Sequence, residues 1–139
     1  MESPAQKAEH LALEFLNRVW GPDHEIDAID ELMTEDYVIT SGGRRIEGRE
    51  AFKQWALAFQ DQLLDARTHN LDAFANEAGD RVVSRWVCEG RSNGLLGLPA
   101  DGRPLSFTGV AIWAVQDGRL AECWVERSAW ELIQEHSDG

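Results

Sequence analysis

The side chains best suited to chemistry lie in the second half of the chain, and Arg85 is the first of them. It stands in the middle of an otherwise apolar strand pattern, so we expect its face to be at least half buried. Its forked donors could hold a carboxylate or enolate oxygen. Alternatively, Arg85 forms a structural ion pair with Glu122, Glu126 or Asp72, or lies in a dimer interface.

The last predicted strand has two faces of different character. One carries Leu120, Glu122, Trp124, Glu126 and Ser128, and the other carries Ala121, Cys123 and Val125. Because the first set mixes tryptophan with polar groups, we assign it to a cavity. The second set is small and apolar, as expected of a face that packs against another subunit.

Histidine and cysteine contribute fewer candidates. His69 begins the third predicted strand at the expected cavity mouth, where it could transfer protons or simply lie at the surface. Cys88 and Cys123 lie within apolar patterns and are expected to be buried, reduced thiols. No group of potential ligands has metal-binding spacing, so we predict no metal site.

These side chains depend on a sheet for their positions. The hydrophobic period is helical in the first half of the chain and changes to about 2 afterwards. The pattern predicts helices from the Ser3 cap to Gly21, from Asp23 to Met33, over 49–64 and over Trp130–His136. It predicts a short hairpin, Tyr37–Ser41 with Arg44–Glu47, and then strands near 67–76, 81–91, 105–116 and 119–128.

This order of elements predicts an α+β fold for the single domain 1–139. N-terminal helices would pack on a strongly curved antiparallel sheet and form a cone with an internal pocket. Seven aromatic side chains could line that pocket and bind a flat, hydrophobic small molecule, or serve as plain core. They are Tyr37, Trp55, Phe59, Trp86, Phe107, Trp113 and Trp124.

The charge of the chain limits its partners. The formal net charge is −12, and phosphate binding needs a basic face, so we expect no nucleic-acid partner and no anionic membrane surface. No apolar run approaches the ~18 residues of a spanning helix, and the first residues lack a secretion pattern. We therefore expect a soluble, cytoplasmic protein.

Several spaced motifs are similar to those of a known family. They are Arg81–Trp86, Glu89-Gly90, Asn93–Arg103, Ser106–Gly109 and Asp117–Trp124, with Gly48–Ala51 before the third helix. Together they resemble the SnoaL-like polyketide (ester) cyclases, within the nuclear-transport-factor-2-like superfamily that includes ketosteroid isomerase and limonene-epoxide hydrolase. The resemblance specifies fold better than chemistry, because this superfamily places unrelated functions in one cone.

The resemblance implies an aromatic-lined cavity without metal or organic cofactor, and commonly a homodimer packed through the sheet faces. It also implies ring closure by aldol addition, in which an acidic residue removes a proton and the pocket stabilises the enolate. The family's aspartate base lies four residues after the tryptophan that matches Trp124, and here that position is Ser128. A serine hydroxyl is no general base near neutral pH, so the mechanism does not carry over unchanged.

Three alternatives for the chemistry remain open. Glu126, about 6.6 Å away along the strand, could act as the base if burial raised its pKa, or it could form an ion pair. Ser128 could instead hydrogen-bond a ligand carbonyl while another group acts, or the site could be non-catalytic.

The first hypothesis is a cofactor-independent cyclase, isomerase or lyase acting on a hydrophobic, carbonyl-bearing small molecule. Its polar groups would be Glu126, Ser128, Arg85 and His69. The alternatives are a non-catalytic binding protein for a lipophilic molecule and a hydrolase similar to limonene-epoxide hydrolase.

Overall fold

The secondary structure follows the sequence patterns closely in a computed structural model, which describes residues 1–136. Within that part, the helices are α1 (Pro4–Val19), α2 (Ala28–Leu32), α3 (Arg49–Gln62) and α4 (Ala129–His136), with one 3₁₀ turn at Leu95–Gly97. The strands are β1 (Met33–Ser41), β2 (Arg44–Glu47), β3 (Leu63–Ala75), β4 (Arg81–Ser92), β5 (Pro104–Gln116) and β6 (Arg119–Arg127).

Helix α1 begins at the predicted cap. The backbone N–H of Gln6 donates to Ser3 Oγ at 3.1 Å, and the backbone N–H of Ser3 donates to Gln6 Oε1 at 2.9 Å. This capping box satisfies two N–H groups at the start of the helix that have no partner within it. The buried face of α1, which includes Phe15 and Leu16, then packs on β3 and β4.

The strands of residues 1–136 form one curved sheet in the order β2-β1-β6-β5-β4-β3. Strands β1 and β6 pair in parallel, and the other neighbours are antiparallel. The predicted α+β arrangement of N-terminal helices on a curved, mostly antiparallel sheet is confirmed. Strand β3 begins at Leu63, earlier than predicted, because α3 passes directly into extended backbone at that residue. Nowhere in residues 1–136 does a helix have the length and apolar composition to cross a bilayer.

A bulge in β6 determines which of its side chains face the helices. Val115 of β5 pairs with Leu120, and the preceding β5 residue pairs with Glu122, so Ala121 is an extra residue in β6. An extra residue reverses the alternation of the strand beyond it, because successive side chains point to opposite faces. Leu120 and Cys123 are therefore both buried, although they are three positions apart.

The predicted assignment of the two faces of β6 is wrong beyond this bulge. Cys123 and Val125 are buried on the inner face, and Arg127 follows them there. They therefore cannot form the subunit interface that their small size suggested. Trp124 and Glu126 are exposed on the outer face. The prediction assumed that side chains alternate between the two faces without interruption along β6. That assumption fails wherever a strand contains an extra residue.

The outer face of the sheet carries a row of apolar side chains in register across four strands. The row is Phe74, Val83, Ile112 and Trp124. Three of its members are unusually exposed for their size, Phe74 at 56%, Ile112 at 40% and Trp124 at 38%, and Val83 is half-buried. The adjacent row, Asp72, Arg85, Val110 and Glu126, is mostly charged. The apolar row therefore has charged neighbours on one side.

Candidate functional site

A narrow inner cavity lies between the sheet and helices α1 and α3. Its rings come from five elements and from Trp20, which directly follows α1. They are Phe15, Trp20, Tyr37, Phe52, Trp55, Phe59, Trp86, Phe107 and Trp113. The volume is about 40 Å³, which is room for roughly three water molecules. Among residues 1–136, no aspartate, glutamate or histidine lines this cavity. Within the same part of the chain, Arg127 is the one ionised side chain that lines it.

A second compartment, the vestibule, adjoins the inner cavity and has a volume of about 320 Å³. It is bordered by Ser41, Gly42, Gln62, Leu95, Leu96, Glu126 and Ala129. Four further side chains, Trp55, Phe59, Phe107 and Arg127, line both compartments. These four shared side chains form the boundary between the vestibule and the inner cavity.

Arg127 projects from the inner face at the end of β6 into a group of aromatic rings. Its Cζ lies 5.2 Å from the ring centre of Trp55, 5.6 Å from that of Phe59 and 6.0 Å from that of Trp86. One N–H donates to Ser41 Oγ at 2.6 Å. Each cation–π contact is worth about 0.5–2 kcal/mol, increasing as water is excluded.

The charge of Arg127 has no carboxylate partner within 4.0 Å among the described residues. Burial lowers the pKa of its guanidinium, and the effects of Cys123 and Cys88 oppose this shift. An arginine nevertheless stays protonated at neutral pH because its ordinary pKa is so high. The site therefore holds a partly buried cation that a ligand anion or carbonyl oxygen could approach.

Gly109 allows the neighbours of Arg127 to reach it. Trp86 of β4, Gly109 of β5 and Arg127 of β6 are directly opposite one another across the three strands. A Cβ on Gly109 would lie 2.3 Å from the Trp86 ring. The absence of a side chain at Gly109 thus makes room for the indole over β5.

The deep end of the cavity contains neutral polar groups. The Tyr37 hydroxyl and the Trp113 indole N–H are buried without a hydrogen-bond partner, and Cys123 is their sulfur neighbour. Burial raises the pKa of Tyr37, and it raises the pKa of Cys123 to about 12 and that of Cys88 to about 11. These groups are therefore protonated at neutral pH, and the thiols are poor nucleophiles.

The polar residues predicted from sequence lie outside the inner cavity. Arg85 is exposed on the outer face, opposite Asp72 and Val110, so the expectation that it is half buried is wrong. Its apolar strand neighbours Val83 and Val87 belong to that outer face, while the intervening residues form the buried face.

His69 also lies on the outer face, where its Nε2 is 3.3 Å from Glu89 Oε1. It does not open β3, which begins six residues earlier, and the inward residue next to it is Thr68. The predicted position of His69 at the cavity mouth is therefore wrong. Strand β3 has two register shifts in its pairing with β4, so simple alternation along the sequence does not predict which face the His69 side chain lies on.

Ser128 joins β6 to α4 through backbone contacts. Its Oγ accepts from the Thr108 backbone N–H at 2.9 Å, its N–H donates to Thr108 O at 2.9 Å, and its carbonyl accepts from Leu132 N at 3.1 Å. These bonds fix the start of α4 against β5. The expectation that Ser128 shares a cavity face with Trp124 is wrong because of the β6 bulge.

Glu126 borders the vestibule but not the inner cavity. It is exposed, although it is close enough to act on the pKa of Arg127. Of the four residues proposed for catalysis, Glu126 is the one that the structure places beside either compartment. Its role as a base stays a hypothesis.

Six of the seven aromatic residues proposed for binding line the inner cavity. They are Tyr37, Trp55, Phe59, Trp86, Phe107 and Trp113. Trp124 lies on the outer face instead, under the guanidinium of Arg81 at 5.9 Å. The contribution of the six to ligand binding stays a prediction.

Comparison with known proteins relates the chain to one family. A family model described as a SnoaL-like domain matches residues 12–123. No curated protein gives a significant match.

Solved structures share the whole architecture. A protein from Jannaschia sp. CCS1, named as a SnoaL-like polyketide cyclase, is 18% identical to this chain and has a TM-score of 0.88. The match covers 100% of this chain and 97% of that protein. A protein from Xanthomonas campestris pv. campestris, named as a polyketide cyclase, is 26% identical to this chain and has a TM-score of 0.82. The match covers 95% of this chain and 98% of that protein. A limonene-epoxide-hydrolase-like epoxide hydrolase from M. tuberculosis is 16% identical with a TM-score of 0.77, covering 99% and 89%.

Proposed function

We propose that this chain, which belongs to the SnoaL-like domain family, binds a flat, hydrophobic small molecule through an anionic or carbonyl oxygen held by Arg127. The observation that carries the proposal is the partly buried guanidinium of Arg127, which is surrounded by aromatic rings and has no carboxylate partner among the described residues. An unpaired cation in such surroundings gains most from an anionic ligand that replaces lost water.

The shapes of the two compartments support a flat ligand. The inner cavity is too small for a ring system as it stands, whereas the adjoining vestibule is several times larger. Trp55 and Phe59 are half-buried at the boundary and belong to α3, so a displacement of their side chains would leave the pairing of the strands intact. A planar molecule would then lie between aromatic faces with its oxygen on Arg127.

The binding proposal is tested with two probes of equal shape, 2-naphthoate and neutral 2-naphthamide. Replacement of the guanidinium in Arg127→Met should weaken 2-naphthoate binding about tenfold or more, because charge-assisted hydrogen bonds are the strong ones. Binding of 2-naphthamide should change much less. Isothermal titration calorimetry measures both, with Arg119→Met, an exposed arginine of the same strand, as the matched control. Equal naphthoate affinity in Arg127→Met and the natural protein would refute the proposal.

A cofactor-independent isomerase, cyclase or lyase is the second candidate, because Glu126 and Arg127 both border the vestibule. Arg127 would stabilise an enolate oxygen while Glu126 removed the proton from the adjacent carbon. Deuterium exchange at the α-carbons of 2-tetralone in D₂O tests this chemistry by NMR. Exchange should fall sharply in Glu126→Gln and persist in the exposed control Asp117→Asn. If the natural protein exchanges no faster than buffer, this candidate is removed for that ketone class.

Epoxide hydrolysis receives less support from the geometry. That reaction needs two carboxylates and an arginine around one water. Glu126 is the one carboxylate of residues 1–136 that borders either compartment. Glu122, the other carboxylate considered, lies 3.7 Å from Arg45 on the outer side of the sheet.

We also propose that two copies of the chain associate through the outer sheet face. The support is the apolar row Phe74, Val83, Ile112 and Trp124, of which all but the half-buried Val83 are exposed. Large exposed apolar side chains in one contiguous row are typical of an interaction surface. An isologous dimer would place each row against its symmetry mate and remove both from water.

A further inference from the structure

Two hydrogen-bond donors at the deep end of the inner cavity have no acceptor. The Tyr37 hydroxyl and the Trp113 Nε1–H are both fully buried atoms, and their residues are 0% and 2% exposed. Buried side-chain donors are almost always paired in folded proteins, so an unpaired pair in a cavity indicates a missing acceptor. Both residues line the same cavity as Arg127.

The fold brings the two donors to one place. Trp113 is opposite Cys123 across β5 and β6, and Cys123 is opposite Ile39 of β1, two residues from Tyr37. Tyr37 and Trp113 therefore approach the cavity from the two sides of Cys123. Trp113 and Cys123 both act on the pKa of Tyr37 as hydrogen-bonding neighbours, so the three side chains lie close together, although neither the Tyr37 hydroxyl nor the Trp113 Nε1–H has a partner in full hydrogen-bonding geometry.

Aromatic packing holds both donors in position. The Tyr37 ring packs edge-on against Phe52 at 5.0 Å, and the Trp113 ring packs edge-on against Phe15 at 6.0 Å. Both side chains are therefore fixed before a ligand enters, which lowers the entropy lost on binding.

The chemistry of the donors limits what they can bind. An indole N–H can only donate, and the Tyr37 hydroxyl stays protonated because burial raises its pKa. Neither group carries a charge that would compensate a second anion. A single sp² oxygen has two lone pairs and could accept from both donors at once.

We propose that Tyr37 and Trp113 form an acceptor subsite for a neutral carbonyl oxygen at the deep end of the cavity. The acceptor subsite rests on the proposed function of Arg127. Together the two sites require a ligand that is a planar hydrophobic molecule with oxygens at both ends. The end at the vestibule is anionic and lies on Arg127. The end inside the protein is a ketone, quinone or ester carbonyl.

Two pairs of matched probes test the subsite. In each pair, an aromatic carboxylate carries at its far end either an acetyl group or an isopropenyl group, which has the same shape but no acceptor. The short pair is 4-acetylbenzoate and 4-isopropenylbenzoate, and the long pair is the corresponding 6-substituted 2-naphthoates. Calorimetry on the natural protein should show about tenfold preference for the ketone in the pair of fitting length.

Tyr37→Phe removes one hydroxyl and should abolish most of that preference by weakening ketone binding while leaving alkene binding unchanged. Trp113→Phe should act in the same direction, and it provides the test if Tyr37→Phe does not fold by circular dichroism. A ¹³C-labelled ketone gives an independent readout. Its infrared carbonyl stretch should shift to lower frequency when bound to the natural protein and return towards the free value in Tyr37→Phe.

The outcomes separate this inference from the proposed function. Equal affinity for ketone and alkene, with an unshifted carbonyl stretch, would overturn the acceptor subsite and leave the Arg127 proposal intact. Absence of binding for all four carboxylates would overturn the Arg127 proposal and, with it, the subsite. A ketone preference that persists unchanged in both variants would show that other groups bind the carbonyl.

Discussion

The indole of Trp86 and the guanidinium of Arg127 meet above Gly109, with 6.0 Å between Arg127 Cζ and the ring centre. The three residues are direct neighbours across β4, β5 and β6. The missing side chain at Gly109 is thus a condition for this contact, because a Cβ would collide with the indole.

Gly109→Ala should therefore narrow the site. The new methyl would force the Trp86 ring away from β5 and into the cavity, at a cost of about 1–3 kcal/mol in unfolding free energy. Affinity for 2-naphthoate should fall about tenfold if the displaced ring occupies the ligand's place. Calorimetry and urea unfolding measure the two effects.

The double variant Gly109→Ala with Trp86→Leu supplies the control for that experiment. Removal of the indole relieves the collision, so the stability costs of the two substitutions should be strongly non-additive. Additive costs would contradict the account of Gly109 as space for Trp86.

Arg127→Met should leave the ligand-free protein as stable as before or stabilise it by about 1 kcal/mol. The substitution removes a buried charge that has no carboxylate partner among residues 1–136 and keeps the length of the side chain. The lost cation–π contacts and the hydrogen bond to Ser41 offset part of this gain. Urea unfolding measures the change, with exposed Arg119→Met expected to lie within about 0.5 kcal/mol. A loss well above 1 kcal/mol would show that Arg127 is chiefly structural.

Stability should decrease in alkaline solution because of the two buried thiols. The pKa is about 11 for Cys88 and about 12 for Cys123 in the folded chain, against 9.0 ordinarily. The unfolded chain releases these protons first as the pH rises, so the thiol contribution is complete below about pH 8 and is lost between about pH 9 and 12. Urea midpoints from pH 7 to 11 should show this fall.

The double variant Cys88→Ala with Cys123→Ala isolates the thiol contribution. Its stability should depend less steeply on pH above 9 than that of the natural protein, because the thiols are gone. Some dependence should remain, since the lysines and the single tyrosine are present in both proteins. Parallel pH profiles in the two proteins would contradict the prediction.

The proposed dimer predicts a specific sensitivity on the outer sheet face. Trp124→Glu places a charge in the apolar row and should convert a dimer into a monomer, as measured by sedimentation equilibrium. Trp130→Glu is the matched control, because Trp130 is 68% exposed on α4 and lies outside the row. A natural protein that sediments as a monomer at all concentrations would refute the dimer.

Much of the fold could be predicted because periodicity and turn residues report local structure. Helix α1 begins at its serine cap, and the Asp117-Gly118 turn joins β5 to β6 as expected. Six cavity aromatics could be found for a similar reason, since large rings in strands and on the apolar side of α3 have few other places to pack.

The central cation of the site could not be found by the same reasoning. The inward direction of Arg127 depends on Ala121, an extra residue that is recognised from the pairing of β6 with β5 and has no signature in the sequence pattern. One signal was present in the sequence: Arg127 follows Cys123 and Val125 at two-residue spacing, so a small apolar face ended in a charge. Such an ending is unexpected for a subunit interface and compatible with a cavity mouth.

Ala121 acts on β6 as a frameshift acts on a reading frame, because this one extra residue reverses the facing of every side chain that follows it in the strand. The segment 122–127 contains two alternative linings, and the one extra residue selects which of them the ligand meets. With the bulge, the selected lining is Cys123, Val125 and Arg127, a neutral surface that ends in a cation. Without it, the same residues would present Trp124 and Glu126, an aromatic surface that ends in an anion. Deletion of the single codon for Ala121 would therefore invert the charge preference of the pocket with no substitution anywhere in residues 122–127.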